Sequence, residues 1–196
     1  GGYTLELTAT GVITVTDINP ADGAEGVDTL TGIEKVRFAD GTELSVNNGE
    51  FKINSYTNGD QQNPSVATLT NGDFVVIWQS NGQDGSGIGV YGQRYNRAGV
   101  AQGIEFKVNT ATTDDQASPV VTGLANGDFV VTWHSLNQDG SGWGVYGQRY
   151  SSAGVAQGGE FRANTSTSSH QLNSAVTGLA NGDFIVTWQA YTPDDG

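Results

Sequence analysis

The stretch WQSNGQDGSGIGVYGQRY at residues 78–95 appears again, with few changes, as WHSLNQDGSGWGVYGQRY at residues 133–150. Phe51, Phe106 and Phe161 mark the same register, because they lie 55 residues apart and the alignment continues without a gap to the end of the chain. A period of this length is typical of arrays in which each repeat forms one small unit of structure. The chain is therefore predicted to be built from interchangeable units.

Each unit holds four candidate strands separated by turn-forming residues. Asn71-Gly72 predicts a two-residue type I′ turn between the first two strands, because both positions of that turn need a positive φ. Ala98-Gly99 predicts the turn from the third strand to the fourth. We therefore expect an antiparallel sheet of four strands, which in the first unit run over residues 65–70, 73–78, 89–95 and 105–109.

The second strand of each unit is apolar on both faces. Phe74, Val76 and Trp78 alternate with Val75 and Ile77, so this strand must be covered on both sides. The third and fourth strands mix apolar with charged residues, and such a gradient is typical of the inner and outer strands of a propeller blade. The predicted fold is all-β, with four-stranded antiparallel blades of a β-propeller-like repeat array that is incomplete in this chain. The same pattern places three tryptophans in the core: Trp78, Trp133 and Trp188.

The repeat also predicts the domain organisation. Residues 49–196 are assigned to the repeats, with units at about 64–109 and 119–164 and a partial unit at 174–196. A propeller needs at least about four blades to close. We favour a piece of a larger polypeptide; association of copies and an open stack of repeats are the alternatives.

Residues 1–48 do not follow the repeat and predict a separate β-hairpin module. The segment YTLELTATGVITVTD alternates with period two around Thr10-Gly11, which is the pattern of a hairpin. The segment IEKVRFADGTELSV predicts a second hairpin that turns at Asp40-Gly41. A domain boundary is therefore expected near residue 48.

The chain is strongly acidic, with 21 acidic against 8 basic residues and a formal net charge of −13 at pH 7. Such a charge repels nucleic acid and anionic membrane surfaces, and it favours cationic partners such as calcium. No apolar run approaches the length of about 18 residues that a membrane-spanning helix needs, so membrane insertion is not expected.

Cysteine and methionine are both absent, which excludes disulfides and thiolate sites and fits an oxidising extracellular setting. The first residues, GGYTLEL, lack the basic and apolar regions of a signal peptide. A secretion signal is therefore expected elsewhere, or the chain is an excised piece.

Residues 23–31 read GAEGVDTLT, which departs only at Ala24 from the calcium-binding nonapeptide G-G-x-G-x-D-x-U-x. They lead into GIEKVRFADGT, and the repeats at residues 74–95 and 129–150 match units of the form FVVTWQS…DGSG…VYGQRY. Together these motifs resemble large secreted bacterial exoproteins of the RTX, or hemolysin-type calcium-binding, class and related adhesins. The resemblance covers nearly the whole chain.

The resemblance implies calcium as a cofactor and an extracellular or cell-surface location. It also makes Asp28, the aspartate of the nonapeptide, a candidate metal ligand. One such turn supplies only part of a shell of six to eight oxygen ligands. The alternative is that Asp28 is a turn residue left at the edge of the array.

The glycine-rich loops between the second and third strands carry Asp84 and Asp139. A carboxylate, a serine hydroxyl and glycine carbonyls are ligands that calcium prefers, so both aspartates are candidate metal ligands. The alternative is a structural turn, in which the aspartate bonds to its own loop while Gly85 and Gly87 take a positive φ. The loop lacks the spacing of a dedicated calcium loop, and the third unit replaces it by TPDDG at residues 192–196, so we favour the turn.

Residues that differ between units are candidates for recognition. Ile88 of the first unit becomes Trp143 in the second. An exposed Trp143 would stack on a sugar or anchor a protein partner, and the alternative is that it covers the edge of the next blade. His134 and His170 have no recognisable nucleophile beside them and belong to no spaced metal motif, so no catalytic site is predicted.

The leading functional hypothesis is a non-enzymatic extracellular module of a large RTX-type calcium-binding exoprotein, with an adhesive, matrix-forming or other surface structural role. Its partners would be a protein or glycan surface, or other blades of the same parent protein. One alternative is a glycan-binding, lectin-like propeller. Another is a structural subunit of a filament or ring, completed by strands from neighbouring copies.

Overall fold

The structure is a computed structural model that describes residues 51–191 in full and, before them, the backbone of five strands. Every element among these residues is a β-strand, so the predicted all-β class is confirmed. The chain divides into two compact units, Gly1–Lys52 and Ile53–Gly196. No helix long and apolar enough to cross a membrane occurs in the described ranges.

The described strands of the first unit form one sheet of three strands and one of two. In the first sheet β1 pairs with β2 and β2 with β3, all antiparallel; β4 and β5 form a separate antiparallel pair. The two predicted hairpins are thus formed, although their turn residues lie outside the described ranges. The strands are β1 (Tyr3–Leu7), β2 (Ile13–Asp17), β3 (Val27–Leu30), β4 (Lys35–Arg37) and β5 (Glu43–Ser45).

The second unit contains two complete blades and half of a third. Within each blade the strands follow one another in sequence order, and all neighbours are antiparallel, which confirms the predicted four-stranded blade. The first blade is β6 (Gln61–Thr68), β7 (Phe74–Asn81), β8 (Ile88–Tyr95) and β9 (Ala101–Lys107). The second is β10 (Gln116–Gly123), β11 (Phe129–Leu136), β12 (Trp143–Tyr150) and β13 (Ala156–Arg162). The half blade is β14 (Gln171–Gly178) and β15 (Phe184–Ala190).

The turn between β6 and β7 differs from the predicted type I′ turn. Gly72 has a φ of 85°, whereas Asn71 is not in the positive range. The Gly72 N–H donates to Leu69 O at 3.0 Å and the Leu69 N–H to Asp73 O at 2.7 Å, which is a three-residue loop ending in a left-handed glycine. Asn71 Oδ1 accepts from the Asp73 N–H at 3.0 Å, and this bond holds Asn71 in an ordinary conformation.

The predicted turn from the third strand to the fourth lies where expected. The Gly99 N–H donates to Asn96 O at 2.9 Å, and Gly99 has a φ of 76°. Asn96 N–H donates in turn to Val100 O at 2.9 Å. The sequence pair Ala98-Gly99 therefore closes β8 onto β9, with only its glycine in the left-handed region.

The first strand of each unit, which we call the inner strand, carries a β-bulge that the sequence did not predict. The register of β6 shifts between Gln62 and Ser65, and the same shift recurs in β10 and β14. The bulge places one residue of each strand in the left-handed region: Asn63 at 50°, Ser118 at 53° and Asn173 at 53°. Because the bulge accommodates Pro64, β6 begins at Gln61 rather than at residue 65.

Each blade has two faces. We call the face that carries Val75 and Ile77 in the first blade the forward face, and the face that carries Phe74, Val76 and Trp78 the rear face. Forward residues of the first blade and rear residues of the second share one hydrophobic core. The core contains Ala67, Leu69, Val75, Ile77, Val90 and Val108, and beyond them Val121, Phe129, Val131, Trp133, Tyr146 and Tyr150.

The three repeated tryptophans do not share one environment. Trp78 is 4% exposed and Trp133 is fully buried, which confirms that both are core residues. Trp188 is 37% exposed, so its predicted burial is wrong. Trp133 is covered by Tyr146 on the neighbouring β12, whereas no described strand lies beyond β15 to cover Trp188.

Candidate functional site

The loop from β7 to β8 closes on itself through glycines. The Gly82 N–H donates to Gly87 O at 2.6 Å, and the Gly85 N–H donates to Gly82 O at 3.3 Å. All three glycines have a positive φ, which a residue with a side chain adopts only with strain. The loop is therefore a compact turn with Asp84 at its centre.

The carboxylate of Asp84 folds back onto the sheet. Its Oδ1 accepts from the Ser86 N–H at 3.2 Å, as the turn interpretation expects. A Cβ on Gly89 would lie 2.8 Å from Asp84 Oδ2, so only glycine leaves room for the carboxylate against β8. The Asp-Gly-Ser-Gly motif therefore has a structural role, because it holds the loop against β8.

The second blade repeats this loop with one difference. Asp139 Oδ1 accepts from the Ser141 N–H at 3.3 Å, and a Cβ on Gly144 would lie 2.7 Å from Oδ2. Asp139 Oδ2 also accepts from Asn164 Nδ2 at 3.2 Å, whereas Asp84 Oδ2 is buried without a hydrogen-bond partner. The two aspartates therefore differ in the acceptor capacity that is left for a ligand.

Two further buried oxygens of the first blade lack a hydrogen-bond partner, namely Ser80 Oγ and Gln83 Oε1, and Ser135 Oγ repeats the Ser80 case in the second blade. Oxygens of these kinds are ligands that calcium prefers, but calcium takes six to eight of them. Among residues 51–191, no three acidic or histidine side chains come together in a way that would hold a metal ion. The first blade thus carries unpartnered oxygens of the kinds that calcium prefers, but fewer than a calcium shell needs.

Asp28, the third candidate metal ligand, belongs to the other compact unit. It lies in β3, opposite Val15 of β2. The remainder of the nonapeptide, residues 23–26 and 31, lies outside the described ranges. Metal binding by Asp28 therefore stays a prediction from the motif.

Acidic side chains near the loops are committed to structural bonds. Glu105 Oε2 accepts from the Ser55 N–H at 2.7 Å and from Ser55 Oγ at 2.8 Å, and Gln83 Nε2 donates to Oε1. Glu160 repeats this pattern with Thr110 and Gln138. Each glutamate ties the fourth strand of its blade to the segment that leads into the same blade.

Tyr91, beside the first loop, shows the same structural commitment. Burial raises the pKa of its phenol to about 12, and the neighbouring carboxylates of Asp84 and Glu105 contribute to the shift. The phenol therefore remains protonated at neutral pH, because losing its proton would place a negative charge among carboxylates. Tyr91 packs in the core of the blade.

Trp143 lies at the start of β12, opposite Leu136, and is half-buried. Its backbone N–H donates to His170 Nδ1 at 3.3 Å. The equivalent residue of the first blade, Ile88, donates in the same way to Asp115 Oδ1 at 3.0 Å. Trp143 and Asp139 therefore sit on one hairpin, whose end is held by the segment that leads into the next unit.

Sequence reasoning assigned no role to His134, which the structure places between the second blade and the third unit. It is 4% exposed, and its Nε2 accepts from the Ser174 N–H at 3.0 Å. Burial lowers the pKa of this imidazole to about 4. In the first blade, Gln79 Oε1 accepts the equivalent bond from the Ser118 N–H at 2.9 Å. The sequence could have indicated this role, because His134 replaces Gln79 at the same repeat position.

The bulges of three consecutive units line an open cavity of about 510 Å³. His134 lines the cavity from β11. It lies two residues before Leu136, which pairs with Trp143, so the cavity and Trp143 lie at the same end of the blade. The lining residues are Asn63, Pro64, Ser65, Ser118, Pro119, Val120, His134, Asn173 and Ser174.

No protein-family model matches the chain, and no curated protein does either. Among solved structures, the chain is similar to an endo-arabinase from Bacteroides thetaiotaomicron VPI-5482, with 14% identity over 91% of this chain and a TM-score of 0.46. The chain spans 66% of the length of that endo-arabinase. It is also similar to a fucose lectin from Kordia zhangzhouensis in complex with methyl-fucoside, with 12% identity, 85% of this chain and 99% of the lectin covered, and a TM-score of 0.31. Both likenesses are distant, and they bear on neither ligand nor activity.

Proposed function

We propose that the chain is a non-enzymatic repeat module of a large extracellular RTX-type calcium-binding exoprotein, and that its blades form an adhesive or matrix-forming surface. The observation that carries this proposal is the recurrence of one bonding scheme at the repeat period. Glu105 and Glu160 bind the same kinds of partner in consecutive blades, and Asp84 and Asp139 close the same turn. These polar groups join one segment of the chain to the next.

The charge of the chain supports a calcium-linked role. A net charge of −13 on a small module attracts divalent cations and keeps it apart from other anionic polymers unless cations bridge the two. The RTX-like nonapeptide at residues 23–31 precedes the blades, and Asp84 Oδ2 has no hydrogen-bond partner. The module would then meet its protein or glycan partner outside the cell.

The calcium part is tested by thermal unfolding and by trypsin digestion in calcium and in EDTA. A ligand at 100 times its Kd stabilises the folded state by about 2.7 kcal/mol, which raises the melting temperature of a chain of this size by about 5 to 10 °C. Asp28→Asn, Asp84→Asn and Asp139→Asn then identify the ligand among the three candidates. The smallest effect is expected for Asp139→Asn, because Asn164 Nδ2 already donates to Asp139 Oδ2 at 3.2 Å. Identical melting and cleavage in the two buffers would refute calcium binding.

The adhesive part is tested by the retention of the purified chain on polysaccharide-coated and on protein-coated beads. Calcium-dependent retention on either surface is expected, with loss in EDTA if cations bridge the acidic surfaces. Washing off equally from coated and bare beads in both buffers would contradict an adhesive role. That result would not change the conclusion of the calcium measurement.

Glycan binding is a second candidate, and the cavity at the bulges favours it. Small hydroxyl and amide side chains line this cavity, and the half-buried Trp143 lies at the same end of the blade, where an aromatic ring can stack on a sugar. Glycan-array binding should be lost in Trp143→Ala. Trp143→Ile is the matched variant, because the first blade carries Ile88 at this position. The absence of binding to every sugar would remove this candidate.

A further inference from the structure

The inner strands of consecutive units approach each other so closely that only glycine fits at one position. A Cβ on Gly123 would lie 2.4 Å from Thr68 O, and a Cβ on Gly178 would lie 2.5 Å from Gly123 O. Real Cβ atoms essentially never make contacts under 3.0 Å, and both obstacles are backbone atoms that cannot swing away. A unit that packs its rear face on a preceding unit therefore needs glycine here.

The first blade carries Thr68 at this position. Thr68 is exposed, and Val66 beside it on the rear face is 63% exposed, whereas the equivalent Val121 is 7% exposed under the first blade. The other main rear residues of the two blades are the same: Phe74, Val76 and Trp78 in the first, and Phe129, Val131 and Trp133 in the second. The rear face of the first blade thus has the composition of a face that packs on a preceding unit. The Cβ of Thr68 obstructs such packing.

The forward face of β14 and β15 has the features of the two forward faces that are covered. Ile185 is 48% exposed, whereas the equivalent Val75 and Val130 are fully buried under the following unit. Exposed apolar side chains in the place of buried ones mark a surface that a further unit would cover.

Gln189 adds a hydrogen-bond acceptor to this face. Its Oε1 accepts from Asn173 Nδ2 at 2.8 Å, as Gln79 Oε1 does from Asn63 Nδ2 at 2.9 Å. In the covered interface, Gln79 Oε1 accepts a second bond from a backbone N–H of the next unit. Gln189 has instead a long contact of 3.4 Å with the exposed hydroxyl of Tyr191, which a docking unit would replace.

We propose that the forward face of β14 and β15 is a docking surface for a repeat unit of this same type that carries glycine at the position of Gly123 and Gly178. Thr68 prevents the first blade of a second intact copy from taking that place. Without this block, identical copies would associate head to tail, a geometry that produces closed rings or open filaments. Assembly is thereby restricted to units that carry glycine at this position.

The test uses two full-length variants as probes of the wild-type chain. Thr68→Gly combined with Ile185→Glu exposes a docking-competent rear face and disables its own forward face. Thr68→Ala combined with Ile185→Glu is the matched control, because alanine keeps the obstructing Cβ. Labelled wild-type chain is titrated with each probe and followed by analytical ultracentrifugation, and circular dichroism and melting curves verify that each probe is folded.

We expect the wild-type chain alone to be a monomer, the glycine probe to form a 1:1 complex with it, and the alanine probe to bind at least tenfold more weakly. Thr68→Gly alone should associate in a concentration-dependent manner. Equal binding of both probes would overturn the role of Thr68, and so would self-association of the wild-type chain that Ile185→Glu abolishes. Failure of the folded glycine probe to bind would overturn the docking surface. None of these outcomes depends on what the blades adhere to.

Discussion

The buried imidazole Nε2 of His134 accepts a hydrogen bond from the backbone N–H of Ser174 at 3.0 Å. The bond requires an unprotonated Nε2, because a protonated nitrogen offers no lone pair. It joins the second blade to the third unit, so the protonation state of one side chain is linked to the packing of two units.

The first prediction concerns stability against pH. The pKa of His134 is lowered by burial to about 4, whereas the unfolded chain has the ordinary value of 6.5. Between these values the unfolded chain binds more protons than the folded one, so stability is complete above pH 6.5 and falls as the pH drops towards 4. The loss at pH 4 is about 3 kcal/mol.

This prediction is checked by urea unfolding of the wild-type chain and of His134→Gln at pH 7, 5.5 and 4.5. Glutamine occupies the equivalent positions Gln79 and Gln189, so the variant keeps an acceptor that does not titrate in this range. Carboxylates contribute equally in both proteins, and the difference between the two pH profiles isolates His134. Parallel profiles would show that the imidazole makes no such contribution.

The second prediction concerns the close approach of the inner strands. In Gly123→Ala the new Cβ would meet Thr68 O at 2.4 Å, so the two blades must separate locally. We expect a loss of about 1 to 3 kcal/mol in the free energy of unfolding, which is the usual cost of overpacking.

Gly159→Ala is the control for this loss, because a Cβ at Gly159 would meet nothing within 4 Å. Its melting temperature should stay at or slightly above the wild-type value, since alanine reduces the conformational entropy of the unfolded chain. Equal melting temperatures for the two variants would mean that the blades are not held as closely as the inner strands indicate.

The third prediction concerns Asn109, which clamps the first blade to the second. Asn109 is 2% exposed; its Oδ1 accepts from the Val90 N–H at 2.7 Å, and its Nδ2 donates to Gln116 Oε1 at 2.9 Å. Asn109→Ala leaves a buried N–H without an acceptor, and each such group costs about 1 to 3 kcal/mol.

Asn54 occupies the same repeat position ahead of the first blade and is only half-buried, with Nδ2 bonded to Tyr56 O. Asn54→Ala should therefore cost under about 1 kcal/mol by the same measurement, denaturant unfolding at pH 7. A larger loss for Asn54→Ala than for Asn109→Ala would contradict the assignment of Asn109 as the clamp.

Much of the blade could be predicted from local sequence. Alternating apolar residues from Phe74 to Trp78 identify a strand covered on both sides. Gly72 and Gly99 correctly mark two turns of the blade, although the predicted turn type at Gly72 was wrong. The error had a local cause, since the pair Asn-Gly suits type I′ turns but the Asn71 side chain captures the Asp73 N–H instead. Identifying the loop around Asp84 as glycine-closed was likewise possible, because the residues involved are near neighbours in sequence.

By itself the sequence determined the repeat, the strand order within a blade and the burial of Trp78 and Trp133, because all of these follow from periodicity and turn chemistry over short distances along the chain. Only the tertiary structure decided that Trp188 is exposed, that His134 bonds to Ser174 and that Thr68 stands where later units need glycine. These properties depend on which faces of separate blades meet and how closely. These contacts join residues that are 40 or more positions apart in the sequence, and no local sequence pattern indicates how closely such residues approach.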